Sequence, residues 1–207
     1  MRARRLVAPV LFMAPLVAGA ALLAEDGWIE VKARVAAVRI ERAFAAHLED
    51  GGRHRPWSWA DTWPVAELEV PRLAIRRFVL AGSSGSSLAF GPGHVDGTAG
   101  PNEIGNCVLA GHRDTWFAFL ESLKPADEVL LRTHGSAVKY RVERVEVRHD
   151  RDGSSLRPSS NRRLTLVTCY PFGGIRRSSL RYVVICRPVE RPSGGGPEDR
   201  AGARISV

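Results

Sequence analysis

Cys169 closes an apolar, β-branched run, Leu164-Thr165-Leu166-Val167-Thr168-Cys169, and Tyr170-Pro171-Phe172 follows it. Pro171 has no N–H to give a ladder, so the strand must stop at about Cys169-Tyr170, where a thiol can be reached. Twelve residues further on, Arg181 opens a second such run, Arg181-Tyr182-Val183-Val184-Ile185. A histidine, His112, ends a third, Leu109-Ala110-Gly111-His112, with Arg113 and Asp114 after it. Thiol, imidazole and guanidinium are the nucleophile, proton handler and oxyanion stabiliser that acyl transfer requires.

Each of these residues has a plainer use. A lone cysteine on an apolar strand is usually a small core hydrophobe. Strand parity separates the three thiols. Cys107 is five positions from His112, and Cys186 is five positions from Arg181, so each points to the face opposite its chemical neighbour. Both are read as packing residues, which leaves Cys169 as the nucleophile. A Cys107–Cys186 disulfide stays open, because sequence does not show whether their strands are adjacent. His94 competes with His112 for the role of base, but it sits in a Gly/Pro loop, a less rigid support. Asp114 either orients the histidine or caps the following turn, the commoner use of such an aspartate. Arg176 and Arg177 lie in the Gly173-Gly174 loop, whereas Arg181 starts a strand. An arginine cannot serve as a base, so beside a thiol its use is to stabilise negative charge.

These side chains need a rigid carrier. From Val65 the chain reads as short strands broken by Gly, Pro and Ser: Ala66–Val70, Arg77–Leu80, Asn106–Gly111, Glu128–Arg132, Val138–His149, Arg163–Tyr170 and Leu180–Cys186. A helical turn is expected over Trp116–Ser122, and Gly91-Pro92-Gly93-His94 is read as a turn. Many strands and few helices point to a closed or nearly closed β-barrel. Trp28–Leu48 reads as an amphipathic helix with apolar positions at Ile29/Val31, Val35, Val38 and Ala45/Leu48, stopped by Gly51-Gly52. Three tryptophans, Trp57, Trp59 and Trp63, are expected to pack onto the domain.

The 207 residues carry a net charge of +8. Leu6–Ala24 lacks any charge and is about 28 Å long as a helix, near the roughly 30 Å of a bilayer core. Arg2, Arg4 and Arg5 precede it and hold the N-terminus in the cytoplasm. An uncleaved anchor is preferred to a signal peptide, although Ala18-Gly19-Ala20 offers small residues near its end. The working domain is therefore expected outside the cytoplasm, where nucleic acid is an unsuitable partner. The expected division is a cytoplasmic N-terminus (1–5), a single-pass transmembrane anchor (6–24), a juxtamembrane helix with the tryptophan segment (25–64), a catalytic domain (65–190) and a disordered tail (191–207).

The chain resembles the sortase family in three motifs that occur in the family's order. They are Gly111-His112-Arg113, Thr165-Leu166-Val167-Thr168-Cys169, and Arg181 about a dozen residues later. Leu68-Glu69-Val70-Pro71-Arg72-Leu73, Phe90-Gly91-Pro92-Gly93-His94 and Pro101-Asn102-Glu103-Ile104-Gly105-Asn106 fit as well. The segment Pro56–Pro64 is similar to that of the Gram-negative subgroup, class GN. The resemblance implies a mostly β, eight-stranded barrel with short helices and a membrane-anchored cysteine transpeptidase with His112, Cys169 and Arg181 as catalytic residues. It implies a Leu-Pro-x-Thr-Gly-type (LPxTG) sorting-signal protein as substrate, an amine as acceptor, and a place at the inner or plasma membrane, periplasmic in a Gram-negative cell. Thr168 would contribute near the oxyanion. No acidic pair stands out as a calcium site, so neither metal nor cofactor is expected. A cysteine hydrolase is the nearest rival, since water could resolve the same thioester. A non-catalytic binding domain is a further alternative. A tyrosine-phosphatase reading fails because the position six after Cys169 is Ile175, not arginine.

Overall fold

The structure, a computed structural model, describes residues 31–174 and 178–189. Eight strands close into a barrel in the order β1-β2-β3-β4-β7-β8-β6-β5. They are β1 Pro64–Val70, β2 Ile75–Ala81, β3 Gly93–His94, β4 Asn106–Ala110, β5 Glu128–Thr133, β6 Ser136–His149, β7 Arg163–Tyr170 and β8 Leu180–Pro188. Closure removes the exposed edges that would otherwise template further pairing. Helix α1 covers residues 31–50, and a single turn, α2, covers Gly85–Leu88. Among the described residues no helix is long and apolar enough to cross a membrane. The expected anchor (6–24) and tail (191–207) lie outside them.

Seven of the eight strands coincide with sequence expectations to within a few residues. The exception is β3, read from sequence as a turn. It has only two residues, and its strand character comes from its partners: Leu80↔Gly93 on one side and Gly93↔Ala110 on the other. No periodicity exists over so short a segment. The expected helical turn at Trp116–Ser122 forms later, as a 3-10 turn over Ala118–Ser122.

Alternate residues of each strand fill the interior: Leu68 and Val70 from β1, Leu109 from β4, Leu164 and Leu166 from β7, Val184 from β8. One row across the wall joins Cys107 to Leu164 and Leu164 to Cys186. Both thiols are buried and free. With a whole strand between them their backbones stand about 10 Å apart, beyond disulfide reach.

Helix α1 docks on the barrel through a face different from the expected one. Ile40, Ala43 and Phe44 are buried, whereas Val31, Val35 and Val38 remain 51, 46 and 47 % exposed. Phe44 packs on the Phe78 ring at 5.3 Å, and the Arg132 guanidinium lies 5.9 Å from its centroid. Charge fixes the same junction. The buried Glu67 carboxylate accepts from Arg76 and Arg132, and Arg76 also donates to Glu41 of α1 at 3.1 Å. The valines satisfy helical spacing, but the barrel meets only the C-terminal half of the helix. The tryptophan segment packs as expected: Trp57 meets Phe90 edge-on at 4.8 Å and Arg53 covers Trp63, although Trp59 stays exposed. Phe44→Ala should therefore lower unfolding stability by about 3 kcal/mol. Val35→Ser should change it by less than about 0.5 kcal/mol, as judged by urea denaturation.

Candidate functional site

Strand direction gathers three strand ends on one rim. β4 and β7 run parallel, so both finish there; β8 is antiparallel to β7, so it begins there. The β4–β7 register pairs Ala110 with Val167. It is held past the last ladder pair by Gly111 N–H donating to Val167 O at 3.2 Å and by Thr168 Oγ1 donating to Gly111 O at 2.7 Å. His112 follows two residues after Ala110 and Cys169 two residues after Val167, so both lie at the same rim. On the other side Cys169 is paired with Arg181. Cys169 and Arg181 are thus paired on one face, with Cα atoms about 5 Å apart, and His112 stands at the same rim, two residues past the end of β4.

That face is the outer one. Leu164, Leu166 and Thr168 turn inward and are buried, whereas Cys169 is exposed. Burial pushes the Cys107 thiol up to about 12, and pushes Cys186, wholly enclosed, up as well. Neither can supply a thiolate at neutral pH.

His112 is fixed through its backbone. Its carbonyl accepts from Phe117 N–H at 2.9 Å, closing the turn that follows. The buried Phe117 ring lies so close to Gly111 that a Cβ there would come within 2.7 Å of it. Glycine is what lets that ring support the chain just before the histidine. His94, the rival base, is paired with Leu109, three positions before His112, and so belongs to the opposite face. Its Nε2 sits 2.9 Å from Ala99 O, in a structural contact.

Arg181 is half-buried. Its Nη1 donates to Ser178 O at 2.9 Å and to Leu180 O at 3.0 Å, and Nη2 lies 3.4 Å from Asp150 Oδ2. The last contact is long for a charge-assisted pair, so an incoming anionic oxygen can displace it. Asp150 opens the β6–β7 connection. That connection crosses the outer face and is held by Asn106 Nδ2 donating to Ser155 O at 2.8 Å and to Arg157 O at 3.1 Å. It leaves Leu156 exposed.

Two secondary candidates take other places. Thr168 faces the interior, and its hydroxyl donates to Gly111 O, which ties the two strand ends together. Asp114 neither caps the 3-10 turn, whose N-cap is Phe117, nor hydrogen-bonds His112. It accepts from Arg113 Nε at 2.8 Å and Nη2 at 3.2 Å, and this guanidinium, before the weaker charge of His112, holds its carboxyl below the usual range. Arg113 and Asp150 are the residues that sequence reasoning passed over as partners of the site. Adjacency to His112 was the available signal for the first.

The Sortase domain family matches residues 68–189, more than half of the chain. Sortase D of Bacillus subtilis (strain 168) is 29 % identical over 119 residues, which are 56 % of this chain and 60 % of that protein. The chain therefore spans less than two thirds of this relative's length. Sortase A from Corynebacterium diphtheriae superposes with a TM-score of 0.58 at 27 % identity, over 68 % of this chain and 66 % of that one. The catalytic domain of B. anthracis SrtD gives 0.53 at 31 % identity, over 61 % of this chain and 88 % of that one.

The difference in burial should be visible chemically. In the folded protein at pH 8, iodoacetamide should label Cys169 alone, with Cys107 and Cys186 reacting only after denaturation, as read by peptide mass spectrometry. Cys107 also implies alkaline destabilisation. Its folded pKa is raised, so its contribution is complete below about pH 9 and is lost as pH rises towards 12. Urea unfolding between pH 8 and 11 should show this loss, reduced in Cys107→Ala.

Proposed function

The chain belongs to the sortase family, and on that premise we propose that it is a cysteine transpeptidase with Cys169 as nucleophile, His112 as proton handler and Arg181 as oxyanion donor. The observation that carries this reading is the outer-face pair Cys169–Arg181 across β7 and β8, with His112 just past the end of β4 at the same rim.

The Cys169 thiolate attacks the carbonyl carbon of a substrate amide, forming the C–S bond and moving the π pair onto oxygen. Arg181, relinquishing Asp150, donates to that oxyanion. Collapse breaks the C–N bond, and the His112 imidazolium protonates the departing amine. The thioester holds the acyl group until a second amine attacks; His112 takes its proton, the new C–N bond forms, and the thiolate leaves. Backbone placement supports this division of labour: β4, which leads to His112, and β8, which carries Arg181, pair with opposite edges of β7, so proton transfer and charge stabilisation need not compete for one position.

The substrate is a protein with an LPxTG-type sorting signal. Support comes from the β6–β7 connection, which begins with Asp150 against Arg181 and carries an exposed apolar side chain, Leu156, suited to an apolar signal residue. The enzyme is anchored by Leu6–Ala24 with its barrel outside the cytoplasm, a placement supported by the length of that segment and by Arg2, Arg4 and Arg5 before it. The segment Pro56–Pro64, with its three tryptophans, supports the narrower class GN.

Incubation with an LPxTG-type peptide should give a covalent adduct on Cys169, visible by intact mass. Cys169→Ala should abolish it, while Cys107→Ala and Cys186→Ala retain it. An adduct that survives Cys169→Ala refutes the assignment. Arg181→Ala should lower kcat by about a hundredfold to a thousandfold. An added amine should yield a new amide; formation of the free acid alone, whatever amine is present, identifies a hydrolase.

A further inference from the structure

At the same rim lies a guanidinium that the mechanism above does not use. Arg113 follows His112, and its side chain is only 11 % exposed. Its fork is fully engaged. Nε and Nη2 hold the Asp114 carboxylate, Nη1 donates to Pro171 O at 2.6 Å, and Nη2 also donates to Gly174 O. Pro171 and Gly174 belong to the segment that leaves Cys169, so one side chain ties the turn after the base to the turn after the nucleophile. The contact is close-fitting. A Cβ on Gly174 would lie 3.2 Å from both Arg113 Nη1 and Pro171 O.

Charge adds a second effect. The Cys169 thiolate is near enough to favour the charged guanidinium, behind the larger influence of Asp114. Asp114, hydrogen-bonded to the same guanidinium at 2.8 Å, offsets part of this charge, although its 62 % exposure lets water screen it. The other charged or titratable groups at this rim are His112 past the β4 end and Arg181 on β8, the latter with Asp150 just after β6. Tyr182, on β8 beside Arg181, stacks on Tyr170 at 6.0 Å.

We propose that Arg113 is a positioning residue for the Cys169 reaction: it clamps the Tyr170–Gly174 segment to the His112 turn and places a fixed positive charge beside the sulfur. This rests on Cys169 being the nucleophile. A lysine at this position keeps the charge but cannot bridge two carbonyls and a carboxylate as a planar fork does. Charge and clamp can therefore be separated.

The test compares wild type, Arg113→Lys and Arg113→Gln in two readouts, after near-ultraviolet circular dichroism has shown that each is folded. The first is the rate of Cys169 alkylation by iodoacetamide at pH 7 and at pH 10. Arg113→Gln should react about threefold to tenfold more slowly at pH 7 yet as fast as wild type at pH 10, while Arg113→Lys stays near wild type at both. The second is kcat/KM for acyl transfer from an LPxTG-type peptide. It should fall about tenfold to a hundredfold in both variants, since a displaced loop misplaces the thiol. Unchanged alkylation and unchanged transfer in Arg113→Gln overturn the proposal. An equal loss of alkylation at both pH values, meaning access and not charge, overturns its electrostatic half. If wild type itself forms no adduct on Cys169, the functional reading has failed and not the role of Arg113, whose effect on alkylation can still be read.

Discussion

The parallel pairing of β4 with β7 is the constraint on which the site depends. Parallel strands share a direction, so both ends fall on one rim, and a constant register makes the position of His112 relative to Cys169 a matter of backbone hydrogen bonding. Side-chain reach alone would leave it loose. The Thr168 hydroxyl on Gly111 O extends that register beyond the last ladder pair, where the strands would otherwise begin to part. A slip of one residue would turn Cys169 into the core and bring Thr168 out. The buried row Leu164, Leu166 and Thr168 prevents this, because interior packing and an exposed thiol are enforced by the same alternation.

Much of this was legible in the sequence. The β-branched runs around Thr165, Val167 and Val183 mark strands, and counting by twos separates Cys169 from Cys107 and Cys186 without any knowledge of neighbours. Strand adjacency was not legible. Nothing local says that β4 lies beside β7, fifty-seven residues away, and only the family resemblance supplied that. The two-residue β3 was invisible for a related reason: its character resides in Leu80 and Ala110, not in Gly93 and His94. Helix α1 shows the limit of periodicity from the other side. Val31, Val35 and Val38 meet the spacing rule, yet burial follows where the barrel wall stands, which favours Ile40, Ala43 and Phe44.

The polar residues around the rim divide by rigidity. Arg113 is enclosed and saturated, and suits a fixed scaffold. Arg181 holds its carboxylate at 3.4 Å and is more exposed, which suits a group that must change partners during a reaction. Sequence gives both simply as arginines. Their difference arises from what each loop presents: carbonyls turned inward by Pro171 and Gly174 in one case, an aspartate at the start of a surface connection in the other.

A crystal structure of the enzyme carrying a sorting-signal peptide mimic bonded to Cys169 tests the convergence of these groups most directly. The account predicts the acyl carbonyl oxygen within hydrogen-bonding distance of the Arg181 guanidinium, Asp150 released, and the His112 ring on the opposite flank of the sulfur. A bound acyl group whose oxygen points away from Arg181, with that side chain still on Asp150 and the imidazole remote from the sulfur, would contradict it.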